Sequence, residues 1–472
     1  MFLLLGGHND SWSQNMESLN AIEENLSKQI QLAGATVAYF SVAERMTALN
    51  VRGFSTTIVQ NGKVVQKRVY GVKNNKGQAV DSETLFQAAS ISKPITALAI
   101  LKLVQEKKVH LDENINTYLK GYQVINPFEA EGHIVTLRNI LNHSAGLNVG
   151  GFGGYPNGTT VPTLLEALKG QGNSPALEVV EQPNSRWNYS GGGYLLLGKV
   201  IEDVCGMPFH AYIKTEILDP LGMTMSTFQQ PLDTTVHSNF SYAYNSSGQP
   251  YEGNWHNYAA LGAGGLWTNP TDLAQYCIGM YKAFTGQDNT LFDQKTMKAM
   301  VVPHLRDWGL GPMIEAKEDG LVFTHDGSNA GFKADFFAYI AEGNAVIAMA
   351  NSENGADLCA EYLQAACAHY GWKAREPLLV KSMQMNASMA NNYLGIYEWV
   401  DSNSYTIAIT KKGDTLFLEY ADDGQLNSLA LEVMDTENAI NIETGQRLKF
   451  RRNKAGKVTG LLWRNRFEFR KR

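Results

Sequence analysis

The order in which strand-like and helix-like segments follow one another is the feature that most restricts the fold of this 472-residue chain. Two strands are predicted over Phe54–Gln60 and Lys63–Val72, because they flank Asn61-Gly62, a dipeptide strongly typical of tight hairpin turns. Strand-like runs return only at 321–350, after a middle region of predicted helix and loop at about 90–300. This order predicts an α+β fold, in which both ends of the domain build one antiparallel sheet around a helical insertion.

Periodicity and turn signals place the individual elements. Helical spacing also runs through about 16–50, where Leu19, Ile22, Leu26 and Ile30 recur, with a second stretch around Ala43–Leu49. The other predicted helices are Pro94–Lys107, Tyr194–Val204, Pro270–Phe284 and Ala356–Tyr370, and the later strands are Leu321–Thr324, Ala330–Ile340 and Asn344–Ala350.

Three segments of the chain differ in composition and pattern. Residues 1–375 carry the strand–helix–strand order described above, and 376–390 is rich in Ser, Asn, Met and Gln, which is typical of a linker. Residues 391–472 show short alternating strands separated by Gly- and Asp-containing turns, which predicts a small antiparallel barrel or sandwich. The basic tail at 464–472 includes Phe467 and Phe469, which favours a final strand with one solvated face over a nucleic-acid-binding arm.

Charge and apolar runs exclude some classes of partner. Forty basic and 46 acidic residues give a net charge of −6, so nucleic acid is not an expected partner. The longest apolar run, Pro94–Val104, is about half the ~20 residues that a membrane-spanning helix needs. Phe2–Leu5 is apolar but lacks the basic region of a signal peptide. The four cysteines are too few for a disulfide scaffold, so the sequence leaves the compartment undecided.

Ser90-Ile91-Ser92-Lys93 is the first candidate for chemistry. Pro94 is tolerated only in the first turn of a helix, so the apolar helix that follows begins near Ser90 and brings Lys93 onto the same face. A lysine with a lowered pKa can remove the serine proton, and backbone N–H groups at a helix start can stabilise an oxyanion. An S-x-x-K sequence also arises by chance about twice in a chain of this length.

Two further motifs carry candidate residues. Tyr189, beside the run Gly191–Gly193, is placed on a turn where its phenol can transfer a proton, although an ordinary loop aromatic would look the same. His325, Gly327 and Ser328 follow an apolar strand; the glycine permits close approach of a substrate backbone, and the histidine offers hydrogen bonds to a carboxylate or oxyanion. A structural histidine at a strand end is the alternative interpretation.

Motifs of other enzyme classes do not occur. Ser144 and Ser190 come nearest to the G-x-S-x-G elbow, but both have Asn two positions earlier. There is no HExxH, Walker A, GxGxxG or metal-spaced Cys/His cluster, so no cofactor and no metal are expected.

Together and in this order, the three motifs resemble those of the serine β-lactamase and penicillin-binding-protein superfamily. The resemblance is closest to the class C-like branch of β-lactamase-related hydrolases, which includes D-aminopeptidases and family VIII esterases. It extends over about 52–370 and includes 137–147 (LRNILNHSAGL), 218–223 (LDPLGM), 263–266 (AGGL) and 309–311 (GLG). The segment after 391, with Tyr393-Leu394-Gly395-Ile396-Tyr397, is similar to the lipocalin-like barrels appended to many of these hydrolases.

The resemblance implies roles for individual residues. Ser90 would be the acylated nucleophile, Lys93 its proton partner, and Tyr189 the group that activates water or protonates the leaving group. His325 stands where penicillin-binding proteins use Lys, and the N–H groups of Ser90 and Ser328 would form the oxyanion hole beside Gly327. One departure is Gly191, where the family usually has Asn; the missing amide argues against efficient β-lactam hydrolysis and leaves ester or peptide hydrolysis open.

We therefore expect a metal-free serine hydrolase that forms an acyl-enzyme with small esters, amides or peptides, including D-amino-acid-containing and β-lactam-like ones. The alternative is a non-catalytic or penicillin-binding scaffold protein that retains the hydrolase fold. The expected partner is a small-molecule or peptide substrate, assembly into a homo-oligomer stays open, and the family implies an extracytoplasmic location.

Overall fold

The computed structural model describes residues 21–402, 405–422, 424–464 and 466–472. These residues divide into two compact units. One unit holds the described chain up to Leu26 together with Tyr39–Arg375, and the other holds Ser27–Ala38 together with Glu376–Arg472. The backbone therefore passes from one unit to the other three times along the sequence.

A six-stranded antiparallel sheet forms the centre of the first unit, as the order of segments predicts. Its strands, in spatial order, are Lys63–Gly71, Gly53–Gln60, Asn344–Ala350, Phe332–Tyr339, Gly320–Asn329 and Met313–Lys317. Asn61 and Gly62 have φ angles of 50° and 71°, the left-handed conformations that the two central residues of a type I′ hairpin turn require. The hairpin prediction is confirmed.

Both faces of this sheet are covered by helices. Alternate residues such as Phe336 and Ile347 pack in the core with the helix Pro270–Thr285, whereas Phe337 and Val346 face the helix Gly355–Tyr370. Since successive side chains of a strand point to opposite faces, a sheet covered on both sides needs strands that are apolar at nearly every position. This is why residues 345–350 are all buried.

Helices and loops between the outer strands form the insertion. The main helices of this region are Ser92–Gln105, Leu137–Leu141, Leu164–Leu168, Gly191–Cys205, Phe209–Ile213, Leu261–Gly264, Pro270–Thr285 and Gln294–Met300. We refer to the first as the Ser92 helix and to the fourth as the Gly191 helix. The Ser92 helix is preceded by a 3₁₀ turn at Ala89–Ile91, and 11 of its 14 residues are buried. A helix buried on almost every face fixes its N-terminus firmly within the core.

Two predictions differ from the structure. Residues 16–50 are not one helical region: Ile30–Leu32 is a strand, the helix Val42–Ala48 matches the second predicted stretch, and Leu19 lies outside the described residues. The predicted linker 376–390 contains a strand, Leu378–Val380, which pairs in parallel with Ile30–Leu32. The partner of each strand lies almost 350 residues away, and local periodicity carries no information about such pairing.

Beyond Leu378–Val380, the second unit contains a helix, Ala387–Tyr393, and a closed eight-stranded antiparallel barrel. The strands are Gly395–Trp399, Thr406–Lys412, Thr415–Asp422, Gln425–Val433, Asn438–Ile440, Arg447–Arg452, Val458–Trp463 and Phe467–Lys471. Inward-facing Leu416, Leu418, Leu448 and Phe450 alternate with more exposed residues and form the barrel core. Phe467–Lys471 confirms the final strand expected in the basic tail.

Candidate active site

Ser90 lies in the 3₁₀ turn that leads into the Ser92 helix. The turn is held from both sides: Phe86–Gln87 pairs with Trp267–Thr268 just before it, and Ser92 Oγ accepts a hydrogen bond from the Leu266 N–H at 3.0 Å. Ala89 has a φ of 48°, an unusual conformation for a residue with a side chain. Ser90 itself is only partly buried, so its hydroxyl is presented at the start of a fixed helix.

Lys93 is 2% exposed, and its Nζ lies 3.0 Å from Ser90 Oγ and 2.8 Å from the carbonyl oxygen of Ala263. Burial lowers the pKa of Lys93 to about 7, because the protein interior disfavours the charged amine, while Asp326 acts in the opposite direction. A lysine with such a pKa is largely neutral just above pH 7. Its lone pair can then accept the Ser90 proton.

Tyr189 lies beside Ser90 and Lys93. It precedes the Gly191 helix, and its ring centroid lies 4.9 Å from Lys93 Nζ. Burial raises the pKa of the Tyr189 phenol above its usual range, although a hydrogen bond with Ser90 works in the opposite direction. Tyr189 therefore keeps its proton at neutral pH and can donate it.

His325 lies inside the strand Gly320–Asn329, whereas the sequence pattern placed it at a strand end. Its ring is 4% exposed, and Nδ1 lies 2.6 Å from the carbonyl oxygen of Asp326. Because a carbonyl oxygen only accepts, Nδ1 carries the proton and Nε2 is an acceptor. Burial and the nearby Lys93 lower the pKa of His325, so the ring is neutral, and within the described chain Nε2 is buried without a hydrogen-bond partner.

Gly327 and Ser328 lie on the part of this strand nearest to Ser90. The register with Met313–Lys317 ends at the pair Met313–Thr324, so the later residues have a sheet neighbour on one side only and pack on the other against Ala89–Ile91. A Cβ on Gly327 would lie 2.1 Å from the Ala88 carbonyl oxygen. The side of Gly327 that the sequence pattern left to a substrate backbone is thus filled by the chain itself, while Ser328 is exposed.

Gly191 stands at the first position of the Gly191 helix. Its N–H donates to the Gly150 carbonyl oxygen at 3.0 Å. A Cβ here would lie 2.9 Å from that oxygen and 3.3 Å from the Phe152 ring. The loop at 150–152 therefore occupies the space into which the side chain of an Asn would extend.

An aromatic wall around Tyr189 was missed by the sequence motifs. Tyr189 contacts the rings of His143 and Trp308, with centroid distances of 4.3 and 5.7 Å, and Trp187 packs 5.4 Å from Trp308. Trp308 also contacts His325 at 5.5 Å. His143 falls in the segment 137–147 that the resemblance treats as structural, and no local pattern marks Trp308, because its neighbours are distant in sequence.

Comparisons with known proteins identify the family of the chain. The sequence model of the family described as Beta-lactamase matches residues 41–369. Penicillin-binding protein 4* of Bacillus subtilis (strain 168) is 26% identical over 406 residues, which cover 79% of this chain and 85% of that protein. A putative D-alanyl-D-alanine carboxypeptidase of Escherichia coli (strain K12) is 27% identical over 335 residues, covering 63% and 72% of the two chains.

One solved structure extends the likeness beyond the matched region. The octameric penicillin-binding protein homologue from Pyrococcus abyssi has a TM-score of 0.62 and 24% identity, covering 91% of this chain and 98% of that chain. At this identity, the comparison shows a shared fold. Among the described residues, no helix is both long and apolar enough to span a membrane.

Proposed function

The chain belongs to the beta-lactamase family, most of whose members are hydrolases, and we propose that it is a serine hydrolase that forms an acyl-enzyme on Ser90. The observation that carries the proposal is the buried Lys93 amine, which lies 3.0 Å from Ser90 Oγ and has a pKa lowered to about 7. A serine hydroxyl is a weak nucleophile until an adjacent base removes its proton, and Lys93 meets both requirements of distance and charge state.

In the acylation step, Lys93 Nζ takes the proton of Ser90 while Oγ attacks the substrate carbonyl carbon. The resulting oxyanion is held by backbone N–H groups of Ser90 and Ser328, at the helix start and at the strand edge that packs beside it. The C–O or C–N bond to the leaving group then breaks, and the leaving group takes a proton from the Tyr189 phenol, which Lys93 reprotonates. The acyl group remains bonded to Ser90 Oγ.

In the deacylation step, water attacks the acyl carbon and passes a proton to the base formed by Lys93 and Tyr189. The Ser90–acyl bond breaks, the carboxylic acid leaves, and Ser90 Oγ recovers a proton. The neutral His325 supplies a hydrogen-bond acceptor through Nε2, which suits a donor on the substrate better than a carboxylate. A charged histidine would bind a substrate carboxylate, and the neutral His325 is not suited to that role.

We propose small esters and D-amino-acid-containing amides or peptides as the substrate class. The name of the Escherichia coli relative, a putative D-alanyl-D-alanine carboxypeptidase, supports this choice. The packing at Gly191, with Gly150 and Phe152 in place of an amide side chain, argues against efficient β-lactam hydrolysis. An extracytoplasmic location and assembly into a homo-oligomer are further proposals; the octameric relative supports the second.

A covalent probe tests the proposed function. The protein is treated with a fluorophosphonate, and intact mass is measured for wild type and Ser90→Ala, followed by a hydrolysis screen with p-nitrophenyl esters, D-alanyl amides and nitrocefin. We expect one adduct on wild type, located at Ser90 by peptide mapping, and turnover of an ester or D-alanyl amide. An equal adduct on Ser90→Ala contradicts the proposal, and binding of a protein partner without turnover would favour the scaffold alternative.

A further inference from the structure

His143 is a buried titratable group that the proposed reaction does not use. It follows the short helix Leu137–Leu141, is 1% exposed and has a φ of 61°. A positive φ is uncommon for residues other than glycine, and histidine is one of the residue types that tolerate it. Such a conformation persists only where the surrounding structure holds it in place.

Two hydrogen bonds connect His143 to the backbone on either side of Tyr189. The Asn188 N–H donates to the His143 carbonyl oxygen at 2.7 Å, and the Ser190 N–H donates to His143 Nδ1 at 3.1 Å. A backbone N–H only donates, so Nδ1 carries the lone pair and Nε2 carries the proton. Burial, Lys93 and His325 all lower the pKa of His143 well below its usual range, so this acceptor stays available.

The ring of His143 also supports the ring of Tyr189. The two centroids are 4.3 Å apart, and the planes are inclined by 37°. The same Tyr189 ring has its centroid 4.9 Å from Lys93 Nζ. The histidine thus contacts Tyr189 at its ring and binds the backbone N–H groups of the residues before and after it, Asn188 and Ser190.

We propose that His143 is a positioning residue, which holds Tyr189 over the Ser90–Lys93 pair through its carbonyl oxygen, its unprotonated Nδ1 and its ring. The proposal rests on the function proposed above, because it concerns how the same site is kept in order.

The titratable and charged groups around this stack are Lys93 of the Ser92 helix, His325 and Asp326 of the strand Gly320–Asn329, Tyr189 and Tyr194 beside and in the Gly191 helix, and Arg306 over Trp187.

Loss of this support has a consequence for Lys93. Burial is the main cause of the lowered pKa of Lys93, so a Tyr189 ring that moves away admits water and lets that pKa rise towards its usual value of 10.5. A purely structural role for His143 would lower the stability of the protein without changing this titration.

Two substitutions separate the contribution of the His143 acceptor from that of its ring. His143→Phe keeps a ring against Tyr189 but removes the acceptor for the Ser190 N–H. His143→Asn keeps an acceptor on a residue that tolerates a positive φ, but removes the ring. His110→Asn, at an exposed histidine outside the site, is the matched control.

The primary measurement is the pH titration of the Lys93 side chain by NMR in protein with ¹³C-labelled lysine, assigned by the loss of the signal in Lys93→Met. We expect both His143 variants to raise the midpoint by about one pH unit. We also expect kcat per probe-labelled site to fall by about 10- to 100-fold with KM nearly unchanged, as is typical of a misplaced catalytic group. His110→Asn should match wild type in both respects.

The outcomes are distinguishable. A Lys93 midpoint that stays at the wild-type value in both variants overturns the proposal, even if their thermal stability falls. If His143→Phe does not fold, His143→Asn decides the question alone. If wild type hydrolyses no substrate and takes up no probe, the proposed function fails, but the Lys93 titration still shows whether His143 holds Tyr189 in place.

Discussion

The N-termini of two helices, the Ser92 helix and the Gly191 helix, meet at the site, and the serines at these two ends have different hydrogen-bond partners. Ser190 Oγ accepts from the Gly193 N–H at 3.0 Å and donates to the Val149 carbonyl oxygen at 2.8 Å. Ser90 Oγ instead meets the side chains of Lys93 and Tyr189. A hydroxyl bonded to the backbone stabilises a helix start, whereas one bonded to titratable side chains is placed for the proton transfer proposed above.

Of the two serines, Ser90 is the proposed nucleophile, and removal of its hydroxyl should have the largest effect on activity. We expect Ser90→Ala to lower kcat/KM by at least ~10³-fold, because the nucleophile is lost. The melting temperature should change little, since Oγ has no hydrogen bond to the backbone within the part of the chain that the structure describes. Steady-state kinetics and thermal unfolding measure the two effects, and a variant that keeps a tenth of the wild-type activity contradicts the assignment.

Substitution of the base should separate activity from stability. We expect Lys93→Met to lower kcat/KM by about 10²- to 10⁴-fold, the usual range for loss of a general base. The folded-state pKa of about 7 lies below the unfolded value near 10.5, so the amine lowers the stability of the fold most where it is charged, below pH 7. The variant should therefore melt at a higher temperature than wild type at pH 6, and the difference should shrink towards pH 10.

The proposed role of Lys93 as the base also predicts how wild-type activity depends on pH. Since Lys93 must be neutral to accept the Ser90 proton, kcat/KM should rise through an apparent pKa of about 7 and fall about tenfold per pH unit on the acid side. The Tyr189 phenol, whose pKa is raised, should cause no loss of activity below pH 9. If kcat/KM does not change between pH 5 and 8, the proposal that Lys93 is the base is wrong.

The first residue of the Gly191 helix offers a test of specificity. We expect Gly191→Asn to lower ester hydrolysis by about tenfold, because the new side chain must displace the Gly150 carbonyl and the Phe152 ring. Gly191→Ala, which adds only the Cβ, should have a smaller effect. Nitrocefin hydrolysis should not rise in either variant; a gain in Gly191→Asn would show that the loop at 150–152 moves aside.

The capping serine should give the smallest change in activity. Ser190→Ala removes the acceptor for the Gly193 N–H and should lower the free energy of unfolding by about 1 kcal/mol, the usual cost of a lost N-cap. We expect kcat/KM to stay within about fivefold of wild type, because the backbone of Tyr189 is held by other contacts. Denaturant unfolding measures the free energy of unfolding. If Ser190→Ala loses as much activity as Ser90→Ala, the proposed difference between the two serines is wrong.

Local signals account for the parts of the fold and of the site that the sequence predicts. Asn61-Gly62 determines a turn by its own backbone preferences, and the i, i+3 spacing of Ser90 and Lys93 brings them together on any helix. The helix prediction at 16–50 fails at Ile30–Leu32, where a distant strand, Leu378–Val380, overrides the local period. The contact between His143 and Tyr189 and the approach of Ala88 to Gly327 depend in the same way on how separate elements pack.

The assignment of Ser27–Ala38 to the barrel unit has a consequence for protein engineering. This stretch contributes the strand Ile30–Leu32 to the pair with Leu378–Val380, and Lys28 forms an ion pair with Glu443 of the barrel. A cut after Arg375 therefore separates the two strands of this pair, although one of the boundaries between the two units lies there. A transplant of the barrel into another protein has to carry both stretches, and a gene fusion that joins only Glu376–Arg472 would leave one strand of that pair behind.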